Sequence, residues 1–432
     1  MGRVLPGGSD RRILSGARAF PGRLLLVYLG LYVAPFPFDH LPVLGPLVSG
    51  GWRALWGAVV PWFGEHVMAI DRARIVDLPS GSGDTTFKWV RIAVFAAVAV
   101  VVAGLWTLRA RGRDPARARL WIRILVRYNL AAYMLSYGLA KVLVLQFQPP
   151  TLDRLVQRFG DASPMGLLWT FMGYSPAYTI FTGALEVLGG LLLLSRRTAL
   201  AGALLLVGVL ANVVMLNLCY DVPVKQFSIH LLAMSLVLLA PQRRRLWGLA
   251  SGAALPASTP EEPFPSPRGR RRWRIFAAAL GLGLIAVQLQ RQLGFRARWA
   301  ATAAPSPLSG LYDVDSLLRR GEPVEPYMGS RWRWIVFDRR GDLTILHEDG
   351  AETTAYAVVD EAAQTITLKP RRAPRRSPSG TLRYTLSPAG VLDLVGELSG
   401  SDVEVRARRV DPERFLLTRQ RFRWVQESPF NR

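Results

Sequence analysis

The chain has 432 residues, half of them apolar, with 54 Lys+Arg against 31 Asp+Glu, a net charge of +23 and one cysteine. One cysteine excludes an intramolecular disulfide, a paired-cysteine redox centre and a cysteine-bound metal cluster. Residues 1–307 hold 34 basic and 13 acidic side chains while residues 308–432 hold 20 and 18, so the basic excess lies in the apolar part of the chain, which argues against nucleic acid as a partner.

Windows of about 20 apolar residues predict seven membrane spans, at 24–38, 87–108, 120–145, 177–194, 198–218, 227–240 and 273–289. The first is short and ends in Pro35 and Pro37; the last is only moderately apolar. The loops alternate in charge. Arg3, Arg11, Arg12, Arg18 and Arg23 precede the first span, and six arginines from Arg109 to Arg123 separate the second and third. Arg196 and Arg197 follow the fourth, and Arg243, Arg244, Arg245 and the arginines at 268–274 follow the sixth. The loop at 39–86 has three Arg against five Asp or Glu. The positive-inside rule then places the N-terminus in the bacterial cytoplasm and the segment after the seventh span outside. No secretory signal peptide is expected, because the first apolar run lacks a small-residue cleavage pattern.

In the loop at 39–86, WRALWGAVVPWF (52–63) predicts a helix along the outer membrane interface. SGSGDTT (80–86) then opens the second span. A helix N-terminus can be capped by Asp or Thr or can bind an anion; Asp84 disfavours the anion, so the cap is the expectation. In the third span, RYNLAAYMLSYGLAK (127–141) places Tyr137 and Lys141 on one helix face, with Arg127 within about 80° of them. Lys141 either snorkels to the headgroups or pairs in the bundle with Glu186 or Asp221. The following loop predicts a short amphipathic helix at 151–159 closed by Gly160, and a re-entrant turn at 167–172 broken by Gly173 and Pro176.

The fourth span, YTIFTGALEVLGGLLLL, carries Glu186 near its middle. A mid-membrane carboxylate is costly and is a functional candidate by default; the structural alternative is a partner for Lys141 or Asn212. Gly183, Gly189 and Gly190 form a small face for close helix packing. The hairpin after it, NVVMLNLCYDVPVKQFSIH (212–230), concentrates polar groups at the rim of the bundle, where each needs a partner or water. The candidate site is therefore Tyr137, Lys141, Glu186, Asn212, Asn217, Tyr220, Asp221, Lys225 and His230, in the outer half of the membrane, with no catalytic role assigned among them.

YGLAK (137–141) and ALEVLGGLLLLSRRTALAGALLL (184–206) resemble the DoxX family of bacterial membrane proteins, over residues 120–246. The resemblance implies a four-helix core. The two N-terminal spans, the seventh span and the tail depart from the minimal family pattern; DVPVK on the hairpin and a β-rich tail ending in PFNR are similar to a longer DoxX-like subgroup. Some family members are subunits of quinone-linked oxidoreductases or join membrane complexes, which implies quinone as a cofactor and a redox protein as a partner. No haem pair, flavin loop or dinucleotide motif is present, so electrons would need that partner. The other class is a non-catalytic scaffold whose polar cluster fixes the helices and which binds lipids or a partner protein.

The domains expected are the N-terminal spans and interfacial loop (1–119), the DoxX-like core (120–246), a cytoplasmic Pro/Arg-rich linker (247–272), the last span (273–290) and an external β domain (308–432). The linker contains LPASTPEEPFPSPR at 255–268, a flexible composition, and the arginines at 268–274 suit anionic headgroups. ATAAPSP (301–307) is expected to link the last span to the tail. There, RWRWIVFD, LTILH, TAYAVV, TITLK, LRYTL, LDLVGEL, VEVRARRV and FLLTR read as antiparallel strands of a small barrel or sandwich, lipocalin-like in its meander order. The barrel either encloses a ligand or is filled by Trp332, Trp334, Phe337 and Tyr384, and the filled core is the expectation. His347 has no second ligand beside it, and no metal is expected.

Overall fold

The computed structural model describes residues 8–41, 43–77, 81–110, 115–252, 263–302, 306–325, 331–338, 341–370, 378–419 and 424–428. Arg3, Arg111, Arg113, Ser80, positions 255–262 of the linker, positions 303–305 and the PFNR end (429–432) lie outside these residues. The chain divides into two compact units, Met1–Gln146 with Ile180–Gln292, and Phe147–Thr179 with Leu293–Arg432.

The first unit is helical. It contains α1 (Gly8–Val33), α2 (Leu44–His66), α3 (Thr86–Arg109) and α4 (Ala116–Val142). The second unit opens with α5 (Leu152–Val156) and α6 (Pro164–Tyr174). The first unit resumes within α7 (Pro176–Leu194) and continues through α8 (Ala199–Cys219), α9 (Lys225–Leu239), α10 (Arg243–Ser251) and most of α11 (Pro267–Thr302). Helix α1 stops just before Pro35 and Pro37, which lack the N–H that would continue it. Thr85 caps α3 by accepting the Lys88 N–H.

Five helical segments among the described residues are long and apolar enough to cross a membrane: Ala19–His40, Thr86–Arg109, Pro176–Leu194, Ala199–Cys219 and Pro267–Ala301. The other two expected spans, α4 and α9, fall outside that set for different reasons. Helix α4 carries Arg117, Arg119, Arg123, Arg127 and Lys141. Helix α9 has 15 residues, about 22 Å at ~1.5 Å per residue, short of a ~30 Å hydrocarbon core. Both still contribute to the bundle core, through Val126, Tyr128, Leu130 and Met134 from α4 and Leu231 and Met234 from α9.

Glycine sets the closest helix approaches. A Cβ on Gly138 would lie 2.7 Å from the Gly183 carbonyl, and one on Gly183 would lie 2.6 Å from Cβ of Lys141. This brings α4 and α7 nearly backbone to backbone, as small residues permit in membranes. Gly190 meets α4 at Ala131, and Gly202 of α8 meets Leu192 of α7. The interfacial helix expected at 52–63 is the longer α2. It packs on α3 through Trp56, Val60, Phe87, Val90, Val94 and Phe95, with Ile75 closing the cluster. Helix α11 likewise runs beyond the expected 273–289 to Thr302. Its added turns are rich in Ala, Arg, Gln and Leu, which favour helix.

The second unit is a closed barrel. Strands β1 (Gly310–Arg319), β2 (Glu322–Pro323), β3 (Trp332–Phe337), β4 (Asp342–His347), β5 (Glu352–Asp360), β6 (Thr365–Pro370), β7 (Gly380–Leu386), β8 (Val391–Leu398) and β9 (Ser401–Val410) pair antiparallel in the order β2-β1-β3-β4-β5-β6-β7-β8-β9. The β1–β9 ladder, from Leu311–Val410 to Arg319–Val403, closes eight of them into a barrel, and the two-residue β2 lies at its edge. Alternate residues point inward and fill it with, among others, Tyr312, Leu317, Trp332, Phe337, Ile345, Leu368, Tyr384, Leu394 and Val405. Tyr312 donates its hydroxyl to the Leu308 carbonyl at 3.0 Å, and burial raises its pKa above the ordinary tyrosine value.

Three tail expectations change. FLLTR (415–419) is not a strand: Leu416–Arg419 forms the short helix α12 after Pro412, and its apolar residues are consecutive rather than alternating. The eighth barrel strand is β1, whose period of two is broken by a bulge between Val314 and Ser316. Trp334 does not join the interior. A second bulge between Trp332 and Trp334 turns it to the outer wall. There Leu152, Val156, Trp334 and Phe415 cover Leu311, Val336, Leu346 and Val410. The guanidinium groups of Arg333 and Arg414 lie over the Trp334 ring at 5.4 and 6.0 Å, and Arg158 donates to the Glu348 carbonyl. The β domain thus includes a segment drawn from between α4 and α7, not residues 308–432 alone. In that segment α5 is shorter than the helix expected at 151–159, ending at Val156 before Gln157 and Arg158 turn extended.

Candidate functional site

The polar residues of the bundle gather where α1, α4 and α8 end and α3, α7 and α9 begin. Helix α4 presents Tyr133, Tyr137 and Lys141 at intervals of four, one above the next. Glu186 enters from α7, one turn past the Gly138–Gly183 approach. Nζ of Lys141 lies 2.7 Å from both carboxylate oxygens of Glu186, and the two residues are 7% and 3% exposed. The pair is dry and bidentate. Of the alternatives open for Lys141, the structure selects Glu186; Asp221 instead pairs with Lys225 at 2.6 Å on the exposed rim.

The loop before α3 meets the turn before α9. Asp84 does not cap its own helix, a task that Thr85 performs. Its two carboxylate oxygens accept the backbone N–H groups of Lys225 (2.7 Å) and Gln226 (3.1 Å), so it caps α9 from 141 residues away. Gly83 N–H donates to the Pro223 carbonyl at 2.6 Å, and the Gln226 side chain donates back to the Gly83 carbonyl at 2.6 Å. Lys88 Nζ donates to the Ser82 carbonyl at 2.6 Å. Loss of an N-cap side chain costs about 0.5–2 kcal/mol. Asp84→Ala is expected at the upper end, since two bonds go, and Asp84→Asn should retain part of them. Thermal unfolding of the purified protein in detergent measures both.

His230 joins α9 to α1. Its Nδ1–H donates to the Gln226 carbonyl at 2.6 Å, so the ring is the Nδ1–H tautomer and Nε2 accepts the Tyr28 hydroxyl at 2.6 Å. Tyr32 stacks on the imidazole, with centroids 4.1 Å apart and 2° between planes. Phe227 bridges to α4, with its ring 4.9 Å from Tyr133 and 6.0 Å from Tyr137, and Lys141 lies 5.9 Å from the Tyr137 ring. Glu186, Lys141, Tyr137, Phe227, Tyr133 and the Tyr32–His230–Tyr28 stack thereby form one belt across four helices.

Of the nine candidate residues, Tyr137, Lys141, Glu186 and His230 belong to this belt. Lys225 and Asp221 form their own pair. Asn217 is buried, and among the described residues its amide nitrogen has no hydrogen-bond partner. Asn212 lies on the exposed face of α8 and Tyr220 is half-buried at its end.

No family model matches the chain, and no solved structure matches it. The uncharacterized protein YwoB of Bacillus subtilis (strain 168) is 37% identical over 140 residues, which are 32% of this chain and 88% of YwoB. The chain belongs to the YwoB family. Two thirds of this YwoB-family chain lie outside the matched stretch.

Residues that sequence reasoning missed at the site of this YwoB-family protein are Tyr28, Tyr32, Tyr133, Asp84 and Gln226. The first two stand four apart on α1, and with Tyr133 and Tyr137 four apart on α4 they are the signal that two polar-aromatic helix faces should meet. Asp84 offered none, because the adjacent threonines supply a nearer cap for the nearer helix.

Proposed function

We propose that the protein is a DoxX-like, non-catalytic scaffold of the bacterial cytoplasmic membrane, a subunit that holds lipid or a partner protein. The observation that carries this reading is the Lys141–Glu186 pair. The cation and the carboxylate that acid–base or proton-relay chemistry would draw on are closed on each other, out of contact with solvent. His230 has both ring nitrogens engaged, and Asp84 serves two backbone amides. These contacts join α1, the loop before α3, α4, α7 and α9, which is the work of a polar cluster that fixes helices. The YGLAK lysine and the glutamate of the following helix, which carry the DoxX resemblance, are the two members of the pair. Five candidate spans with α4 and α9 packed among the helices support the seven-span reading.

A second reading, a quinone-linked oxidoreductase subunit, is favoured by the aromatic group of Tyr133, Tyr137 and Phe227, whose tyrosines are 37% and 38% exposed. Lipid extraction of the purified protein with mass spectrometry separates the two. The scaffold reading expects phospholipid without stoichiometric quinone; one quinone per chain moves the assignment to the second.

The charge alternation supports a cytoplasmic N-terminus and an external barrel. A periplasm-active reporter fused after Arg432 should be active and one inserted within 255–268 silent. Reversal of the two would remove this topology.

A further inference from the structure

A strongly basic end of the bundle has no part in the belt. Residues 109–127 and 261–274, around the first turns of α4 and α11, hold twelve Arg against three Asp or Glu. Neither helix has an acid in its first turn. Three aromatic rings join the two runs. Trp121 of α4 meets Trp273 of α11 edge to face with centroids 5.5 Å apart, and Phe264, just before α11, stands 6.0 Å from the first ring and 6.2 Å from the second. Gly269 permits this closure, since a Cβ there would lie 2.9 Å from Cβ of Phe264. Arg270 Nη1 donates to the Pro265 carbonyl at 3.0 Å, which holds its guanidinium at the same segment. Arg117 stands four residues before Trp121 and Arg270 three before Trp273, so each arginine shares the helix face of its tryptophan. The aromatic corner is thus flanked by a guanidinium from either helix. Arg117, Arg268, Arg271 and Arg272 are exposed, and among the described residues none of the four makes an ion pair.

We propose that this corner between α4 and α11 binds an anionic phospholipid with two phosphates, of the cardiolipin class, one phosphate on the Arg117 side and one on the Arg270 side. Guanidinium groups suit phosphate oxygens, and basic surfaces between membrane helices suit headgroups of this kind. Like charges gathered at one end repel one another, and an anion between them removes that cost. The tryptophans suit the level of the headgroups. A lipid fits better than a soluble diphosphate because an apolar flank continues from the arginines: Phe276 has its ring 5.6 Å from Trp273, and Ile275, Phe276 and Leu282 of α11 are exposed, where acyl chains would lie. The proposal deepens the scaffold reading and rests on its lipid-holding part. Neither Lys141 nor Glu186 contributes a ligand, so failure of this site is distinct from failure of the pair that carries that reading.

The test uses the full chain, delipidated in detergent, with native mass spectrometry and thermal shift against tetraoleoyl cardiolipin, phosphatidylglycerol, phosphatidylethanolamine and inorganic pyrophosphate. Cardiolipin should bind more tightly than phosphatidylglycerol at equal phosphate, and phosphatidylethanolamine least. Arg117→Gln and Arg270→Gln should each weaken cardiolipin about tenfold, the size of one charge-assisted contact. The double variant should bind it no better than phosphatidylglycerol. Arg53→Gln, at an exposed position of α2, should leave it unchanged, which separates a site from net charge. If the double variant folds poorly, the ranking of lipids on the native chain and the two single variants decide. Equal affinity for cardiolipin and phosphatidylglycerol per phosphate, unchanged cardiolipin binding in both single variants, or an equal loss in Arg53→Gln overturns the proposal. So does pyrophosphate binding as tight as that of cardiolipin, which would make the ligand a soluble diphosphate.

Discussion

Glu186→Gln or Lys141→Met alone is expected to destabilise the bundle by about 3–5 kcal/mol, and the double change to recover much of the loss. Each single substitution leaves the other group charged, or forced neutral, in a site that is almost fully buried. The double variant puts a neutral amide against a thioether, and the remaining cost is one imperfectly satisfied polar group. The environment makes the effect large. Gly138 and Gly183 bring the backbones together one turn from the pair, which leaves little room around it. Denaturant or thermal unfolding in detergent, on all four chains of the cycle, gives the coupling directly. Simple addition of the two single effects would show that the residues do not act as partners. It would return Glu186 to the set of groups able to move a proton, and the scaffold reading would lose its main support.

The second large effect belongs to the barrel. Residues 308–432 expressed alone should show a β-type circular dichroism spectrum, because the β1–β9 ladder and the filled interior lie within them. They should nevertheless self-associate and unfold several kcal/mol more easily than the intact unit. Leu311, Val336, Leu346 and Val410 on the outer wall are 0–7% exposed in the whole chain, with Leu152 and Val156 of α5 among the residues packed on them. At about 1.5–3 kcal/mol for burying one such side chain fully, partial uncovering of four is enough to matter for a domain of ordinary stability. Sedimentation and dye binding read the exposed patch. Replacing Leu346 and Val410 by Thr in that fragment should restore a monomer. A monomeric native fragment that binds no dye would mean that α5 contributes nothing to the wall.

Where local pattern and burial coincide, the sequence was a sufficient guide. The expected spans at 87–108, 177–194 and 198–218 match α3, α7 and α8 within about two residues at either end, because apolar runs bounded by Arg or Pro specify a membrane helix without reference to the rest of the chain. Lys141 and Glu186 could be named in advance as candidate partners, beside Asp221 and Asn212, because a charge in an apolar helix has few partners to choose from; which of them pair was not legible. The glycine face of α7 was readable. What escaped was non-local or out of phase. Bulges in β1 and β3 shift the period of two, so a barrel strand went unread at 310–319 and Trp334 was assigned to the wrong side of the wall. Apolar content at 415–419 looked like a strand, but Phe415 packs on that wall and Leu416–Arg419 is a short helix. The aromatic belt needed α1, and Asp84 needed α9, each about 140–200 residues away in the chain.

That last separation has a use. The amide hydrogens of Lys225 and Gln226 belong to the first turn of α9, where no helical carbonyl precedes them. In an isolated hairpin they would exchange with solvent freely. Here both are held by a carboxylate made 141 residues earlier, so their exchange measures the docking of the α1–α3 part of the bundle onto the α8–α9 hairpin and little else. Two protons thus serve as a gauge of assembly that is separate from helix formation itself. They should become slow only once the two halves have met, and fast again in any variant that parts them while leaving every helix intact.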